Sequence, residues 1–422
     1  MNTNPEIVER VIGFDAHPDT FTAVIVQGSI PAAASIEKTF NRVPMVQLES
    51  WAKKHTTAQD LLVLEASGNS FQVVRTLKAV ERKAIVLESN QLGKLKEVHA
   101  NNDKLSAVRI AKAYLAGTTK EVWVPDTQSQ ERRDIYHAHR KALKRTTQLR
   151  NRLQSYLSDN GVRLKKGTRL TKIEEAQQQI KKTRSWSLLQ WQVIEGILME
   201  LQHAEKQRGH WHSLIAQQVL SDPMLLSMVR LCGVREMTAF ALGAFIGDIQ
   251  RFASPRKLVK YIGLHPAFDH SGDGGWEGGI GGHGHKELRR LLIQGAQAIV
   301  RCAHTPLAGW SRKLLARKGQ RNLVVAAVAR KIAVAIWYLM MGRWTQLEEV
   351  DRPLAIKVTK IMSQLSAQTL KKLGKKRRAF SQEIYQRLKN GRLYTLDPNK
   401  IFGPKLPRPT CAVLAEGTKI QA

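Results

Sequence analysis

Val11-Ile12-Gly13-Phe14-Asp15-Ala16-His17 is an apolar run that closes on an acid; Pro18-Asp19-Thr20 follows as a turn signal, and Phe21-Thr22-Ala23-Val24-Ile25-Val26-Gln27 is a second apolar run. Two such runs so closely joined predict a pair of neighbouring strands. Working outward, a third strand is expected from Ser35 to Asn41 and a helix near Pro44 to Lys54. Leu61-Leu62-Val63-Leu64-Glu65-Ala66 again runs apolar into an acid, with a helix expected from Ser70 to Val80. Ala84-Ile85-Val86-Leu87-Glu88 reads as another strand, and Asp103 to Leu115 as a helix. Hairpin strands followed by strand–helix alternation predict an α/β sandwich with a mixed sheet.

The pattern changes near Pro125. From about Gln128 to Ser158 there is no proline or glycine, and Ile135, His139, Ala142, Thr146, Leu149, Leu153 and Tyr156 recur at alternating spacings of four and three. Arg140, Lys141, Lys144, Arg145, Arg150 and Arg152 lie between them. A polar, basic hinge from Gly161 to Lys182 leads to a second long helix containing Trp191, Ile194, Leu198 and Leu201. Such a pair predicts an antiparallel hairpin or a coiled coil. It is either a structural spacer or a dimerisation arm with a nucleic-acid face on Arg140, Lys141, Lys144 and Arg145. Val229 to Ala239 reads as helix, glycine turn, helix, a geometry that can offer backbone N–H groups to a phosphate. Asn322 to Met341 is apolar but carries Arg330 and Lys331, so a packed helix is expected rather than a membrane span. Lys371 to Arg378 is strongly basic, and the proline-bearing stretch from about Pro398 is expected to be poorly ordered.

The 422 residues hold 67 Lys and Arg against 35 Asp and Glu, a formal charge of +32 that favours a polyanionic partner. Met1-Asn2-Thr3-Asn4-Pro5 lacks the start of a signal peptide, and three widely spaced cysteines fit a reducing, cytoplasmic setting. The pairs His210/His212 and His283/His285 have no second ligand pair at zinc-site spacing, so a structural zinc is not expected. The glycine-rich stretch lacks the Gly-Lys-Ser/Thr ending of a phosphate loop, which argues against an NTPase.

Two groups of residues could carry chemistry. Asp15 and Glu65 end apolar strands and Asp103 begins a helix; such acids can converge at one sheet edge around divalent ions, as two-metal nucleases require. Acids also commonly end strands and cap helices, which is the plainer alternative. Ser271 lies in Asp269-His270-Ser271-Gly272-Asp273-Gly274-Gly275, with five more glycines between Gly278 and Gly284. Glycine allows close backbone approach to a phosphate, but serine needs activation to attack, and taken alone the stretch reads more readily as a flexible loop with an incidental serine.

At this point the residues resemble a family. Ile12-Gly13-Phe14-Asp15, Leu64-Glu65-Ala66-Ser67-Gly68 and Asn102-Asp103-Lys104-Leu105-Ser106-Ala107 are similar to the N-terminal blocks of the DEDD transposases, the insertion-sequence-110 group and the related Piv invertases. Gly233-Val234 with Thr238-Ala239, Ile246-Gly247-Asp248-Ile249, Arg251-Phe252, Tyr261 to Pro266, Ser271-Gly272, Leu288-Arg289-Arg290-Leu291-Leu292 and Val325 to Lys331 resemble the C-terminal transposase domain. The likeness covers roughly residues 8 to 345.

The resemblance implies α/β plus α architecture: an RNase H-like domain of Holliday-junction-resolvase type at 8–125, a coiled-coil arm at 126–222, a mainly helical domain with a nucleophilic serine at 223–345, and a basic tail at 346–422. It implies Asp15, Glu65 and Asp103 as Mg²⁺ ligands and Ser271 as the nucleophile that forms a phosphoserine. The implied partners are donor and target DNA, a non-coding bridge RNA, and further copies of the chain in a dimer or tetramer; no membrane is implied. Ser106 stands where the family carries its fourth acid, and a neutral hydroxyl is a poorer Mg²⁺ ligand than a carboxylate. Gly282-His283-Gly284 replaces a basic pair that relatives often carry, which shifts expected phosphate contacts to Lys286, Arg289 or Arg290. The rival readings are a resolvase-like nuclease in which metal-activated water attacks, a non-catalytic nucleic-acid-binding relative, and, more distantly, an actin-like ATPase.

Overall fold

The structure is a computed structural model that describes residues 10–94, 102–164, 170, 173–271, 274–280, 283–302, 305–343 and 352–389. The chain divides into two compact units, Met1–Thr127 and Gln128–Ala422.

The first unit is a six-stranded mixed sheet with helices on both faces. β1 (Arg10–Ala16), β2 (Thr20–Gln27) and β3 (Ser35–Pro44) form an antiparallel meander, β2 lying between the other two. α1 (Leu48–His55) leads to β4 (Leu61–Glu65), α2 (Ser70–Ala79) to β5 (Lys83–Leu87), and β1, β4 and β5 are parallel. After α3 (Ser89–Lys94) and α4 (Asp103–Leu115), the short β6 (Glu121–Val122) completes the spatial order β3-β2-β1-β4-β5-β6.

The central strands are continuous apolar runs because both their faces are covered. Ile12, Phe14, Leu62 and Leu64 pack with Trp51 and Leu77 on the α1/α2 side, where Phe14 and Phe21 stack at 4.6 Å. The alternate residues Val11, Leu61 and Val63 pack with Ala107, Ile110 and Ala111 of α4. The helix expected near Pro44 begins at Leu48 instead, because Pro44 still pairs with Thr20 in β3.

In the second unit α5 (Thr127–Asp159) and α7 (Leu188–Ser221) run antiparallel: Arg132 meets Asp222 near one end, Arg150 meets Glu205 at 2.6 Å, and Gln190 donates to Asn160 at 2.9 Å near the other. The expected seam holds from His139 to Leu153, but Tyr136 and Leu157 are buried where Ile135 and Tyr156 were anticipated. A straight helix of 3.6 residues per turn drifts out of phase with a 3.5 repeat, so the stripe rotates at both ends. Within the polar hinge lies a helix, α6 (Ile173–Lys181), whose Ala176 and Ile180 join Leu149, Leu153, Ile194 and Leu198 in one core. Only one pair at i, i+4 is apolar there, too little to stand out from the charge around it. Ser187 and Gln190 form a capping box that starts α7.

The remaining elements follow, their helices sharing one larger core. They are α8 (Pro223–Met228), α9 (Glu236–Ile246), α10 (Pro255–Ile262), the hairpin β7 (Pro266–Ser271) and β8 (Gly274–Ile280), α11 (Lys286–Cys302), α12 (Pro306–Lys318), α13 (Arg321–Met340), and α14 (Arg352–Gln364), α15 (Ala367–Lys372) and α16 (Arg377–Lys389). α13 is long and apolar enough to cross a membrane by composition, yet Val324, Val328, Ile332 and Ile336 are fully buried among the neighbouring helices. Residues 352–389 depart from the basic tail expected: Leu354, Val358, Ile361, Ile384 and Leu388 are buried in this core, and so is Lys357, while Lys360, Lys371, Lys372 and Lys375 to Arg378 are exposed. The stretch from Pro398 lies outside the described residues.

Candidate functional site

β1 and β4 are adjacent and parallel, with Phe14 opposite Leu64, so Asp15 and Glu65 leave neighbouring strands at the same C-terminal edge. Strand alternation puts both acids on the face lined by Val11 and Val63, the face that α4 covers. Asp103 is the first residue of α4, while the cap is Asn102, whose Oδ1 accepts from the Lys104 N–H at 2.8 Å. Capping therefore does not account for Asp103, whose carboxylate gains from the positive end of the helix.

Asp15, His17 and Asp103 each present a ligand atom within 4.8 Å of one another. His17 Nε2 lies 3.7 Å from Asp103 Oδ1, and Asn69 Nδ2 donates to the His17 carbonyl at 2.8 Å, tying the loop after Glu65 to the end of β1. Two carboxylates and an imidazole suit a divalent ion of the Mg²⁺ or Mn²⁺ class. The structure therefore brings Asp15 and Asp103 together, places Glu65 beside them at the strand edge, and adds His17, which the sequence showed only as a polar residue two positions beyond Asp15. Ser106 faces another partner: its Oγ accepts from Arg109 Nη2 at 3.1 Å. Arg42 Nε lies 3.9 Å from Asp103 Oδ2; its left-handed φ of 48° falls where the β2–β3 register slips, a bulge that re-aims the side chain.

Ser271 lies in the second unit, at the end of β7, paired with Gly274 across the hairpin. It stands on a strand rather than in an irregular loop. The two ends of the hairpin are stitched together: the His285 N–H donates to the Tyr261 carbonyl at 2.8 Å, and Arg289 Nη1 donates to the His283 carbonyl at 2.6 Å. At that crossing a β-carbon on Gly263 (φ +79°) would lie 2.1 Å from the His283 oxygen, so glycine is required there.

The serine hairpin falls inside residues 228–309, which match the model of the transposase IS116/IS110/IS902 family. The chain is 26% identical over 249 residues to the transposase for insertion sequence element IS1111A of Coxiella burnetii, covering 58% of this chain and 68% of that one. It is also similar to the transposase for IS1328 of Yersinia enterocolitica, at 23% over 311 residues, 72% of this chain and 88% of that one. Residues 228–309 thus carry a transposase domain of the IS116/IS110/IS902 type, and the relatives that extend beyond it are insertion-sequence transposases.

The basic residues of the transposase divide by partner. Arg140 pairs with Glu287 at 3.2 Å and Arg145 with Glu200, whereas Lys141 and Lys144 are exposed and have no ion pair among the described residues. Arg290 pairs with Glu287 at 3.0 Å, Arg289 is spent on the hairpin crossing, and Lys286 is exposed. Tyr136 donates to Glu287 at 2.9 Å; burial, reinforced by that carboxylate, pushes the phenol up to about 12. Burial alone would raise Glu287, but Tyr136, Arg290 and Arg140 outweigh it and hold the carboxyl below its usual range.

The glycine turn after α8 does not offer its N–H groups outward. Those of Val229, Arg230, Leu231 and Val234 donate to carbonyls at Leu226, Ser227, Met228 and Leu231. A β-carbon at Gly233 would lie 2.8 Å from Ile299 Cδ1, and the buried Lys357 Nζ donates to the carbonyls of Val229 and Leu231 at 2.9 and 2.7 Å. The turn packs against α11 and α14, and these four N–H groups are spent within it rather than offered to a phosphate.

Proposed function

We propose that this transposase cuts and rejoins DNA with two sets of residues, a carboxylate centre in the first unit and Ser271 in the second. The observation that carries the reading is the convergence of Asp15, His17 and Asp103, with Glu65 on the adjacent strand end. The strand order β3-β2-β1-β4-β5, antiparallel and then parallel, supports an RNase H-like assignment of the first unit. Asp15, Glu65 and Asp103 would hold Mg²⁺, with His17 as a further donor. The ion, when bound, would neutralise charge on the scissile phosphate.

Ser271 Oγ attacks phosphorus; its proton passes to a base, the Oγ–P bond forms, and the strand leaves as a free hydroxyl. The hydroxyl of the exchanged strand then attacks the phosphoserine and releases Ser271. Bond energy is conserved in the protein link, so no nucleotide is hydrolysed. A bridge RNA pairing with donor and target DNA in a cytoplasmic complex fits the +32 charge. An oligomer is supported by Leu189, Val193 and Met199, exposed on one side of α7.

The test is a denaturing gel of DNA incubated with wild type and Ser271→Ala. Wild type should give a covalent protein–DNA band that the variant lacks, while DNA binding is kept. Metal-dependent cleavage by Ser271→Ala would favour the second reading, a resolvase-like nuclease using water, which the same acid cluster supports.

A further inference from the structure

The far end of the α5–α7 hairpin carries a feature unlike its shaft. Along the shaft, Arg145 and Arg152 meet Glu200, and Arg150 and Arg208 meet Glu205. At the tip, a cavity of about 500 Å³ is lined by Lys181, Lys182, Arg184, Ser185, Trp186 and Trp191. Lys181, Lys182 and Arg184 are exposed and make no ion pair among the described residues. Lys181 Nζ rests 4.5 Å from the centre of the Trp191 ring, and the Arg184 guanidinium 5.0 Å from that of Trp186. The rings are fixed from behind: Trp186 Nε1 donates to the Ile180 carbonyl at 3.1 Å, and both indoles pack against the core shared by α5, α6 and α7. Arg184 Nη1 donates to the Asn160 carbonyl at 3.0 Å, which holds it at the mouth.

We infer that this tip is a binding site for a single-stranded segment of nucleic acid, with a base stacked on an indole and its phosphates on the three cations. Anchored aromatic rings interleaved with cations are the arrangement that single strands recognise, because every base has a face to stack and every nucleotide a charge. The cation–π contact at an exposed site is weaker than base–aromatic stacking, so a base can replace the ammonium over Trp191 while the ammonium moves to phosphate. A duplex keeps its bases stacked internally and would use the cations alone. An acidic peptide would also use only the cations and would leave the indoles without a role.

The test uses the full-length protein and short single strands of oligouridylate and oligothymidylate carrying one 5-iodinated base. Photocrosslinking followed by peptide mapping should place the adduct on the segment holding Trp186 and Trp191. Trp191→Ala should weaken single-strand binding about ten-fold, and Trp191→Phe, which keeps a ring, should restore most of it. Exchanging Lys181, Lys182 and Arg184 for Gln should flatten the salt dependence without unfolding the hairpin, checked by circular dichroism. A preference for uridylate that oligodeoxyuridylate does not share would identify RNA through its 2′-hydroxyl, and equal binding a site open to either strand; both support the inference. Crosslinks confined to other segments, unchanged affinity of Trp191→Ala, or equal competition by duplex or polyglutamate would overturn it.

Discussion

A β-carbon on Gly13 would lie 1.8 Å from the carbonyl oxygen of Ala107, so β1 and α4 touch backbone to backbone two residues from Asp15 and one turn from Asp103. That contact sets the separation of the two acids, because one stands on each element. Gly13→Ala should force α4 away from the sheet. The overpacking should cost on the order of 1–3 kcal/mol in chemical denaturation and reduce Mn²⁺ affinity measured by calorimetry. A variant that unfolds at the wild-type midpoint would show that α4 yields without cost.

The donor set at this cluster is the second point of test. By the resemblance Ser106 stands where a fourth acid is expected; its hydroxyl is held by Arg109, while His17 reaches Asp103. His17→Ala should therefore weaken divalent-ion binding about ten-fold, with a larger effect on Mn²⁺ than on Mg²⁺, because imidazole suits the softer ion. Ser106→Asp should pair first with Arg109 and tighten Mg²⁺ binding only modestly; the double variant Ser106→Asp/Arg109→Gln should tighten it further. Equal Mg²⁺ and Mn²⁺ responses in His17→Ala would remove the histidine from the donor set.

Much of this was legible in the residues. The apolar runs ending at Asp15 and Glu65 marked two strands because both faces of β1 and β4 are buried, and the turn at Pro18-Asp19-Thr20 marked the β1–β2 connection. His17 was visible only as a polar residue in a turn; what makes it part of the cluster is the placement of α4, fixed by a glycine contact with no sequence signature of its own. Likewise the charges of Arg140 and Arg145 were legible, but their partners Glu287 and Glu200 are 147 and 55 residues away in sequence and only the fold joins them. The helices at 352–389 were obscured by Lys371 to Arg378, whose charge masks the apolar residues that reach the core.

That pairing makes the shaft of the arm separable by mutation. Lys141→Gln with Lys144→Gln should lower the salt slope of nucleic-acid binding by roughly two units of log K per log salt if both lysines meet phosphates. Arg140→Gln and Arg145→Gln should leave the slope nearly unchanged, since their charges are already opposed by Glu287 and Glu200. Titrations of binding against salt concentration decide it. An equal fall in slope for both pairs would mean the ion pairs open on binding.

His139 gives the arm a pH response. It is 5% exposed in the α5–α7 seam, neither ring nitrogen has a hydrogen-bond partner, and its pKa is lowered to about 4. Burial is the largest cause, with His212, Arg208 and Arg140 adding repulsion; His212 itself faces Glu236, which Arg235 also meets. The unfolded chain would titrate this residue near 6.5. Because the folded value is the lower one, its protonation favours unfolding: stability is complete above about pH 6.5 and falls as the pH drops toward 4. The loss at pH 4 from this residue should be on the order of 3 kcal/mol. His285, half-buried and lowered to about 4 chiefly by desolvation, works in the same direction. His139→Leu keeps the apolar bulk of the seam and removes the two unsatisfied nitrogens, so it should raise the midpoint of thermal unfolding at neutral pH and more so at pH 5. Melting curves of wild type and His139→Leu between pH 7 and pH 4.5 should diverge as the pH falls, with a residual slope left by His285. Parallel curves would mean that His139 is solvated in the native arm and carries no such response.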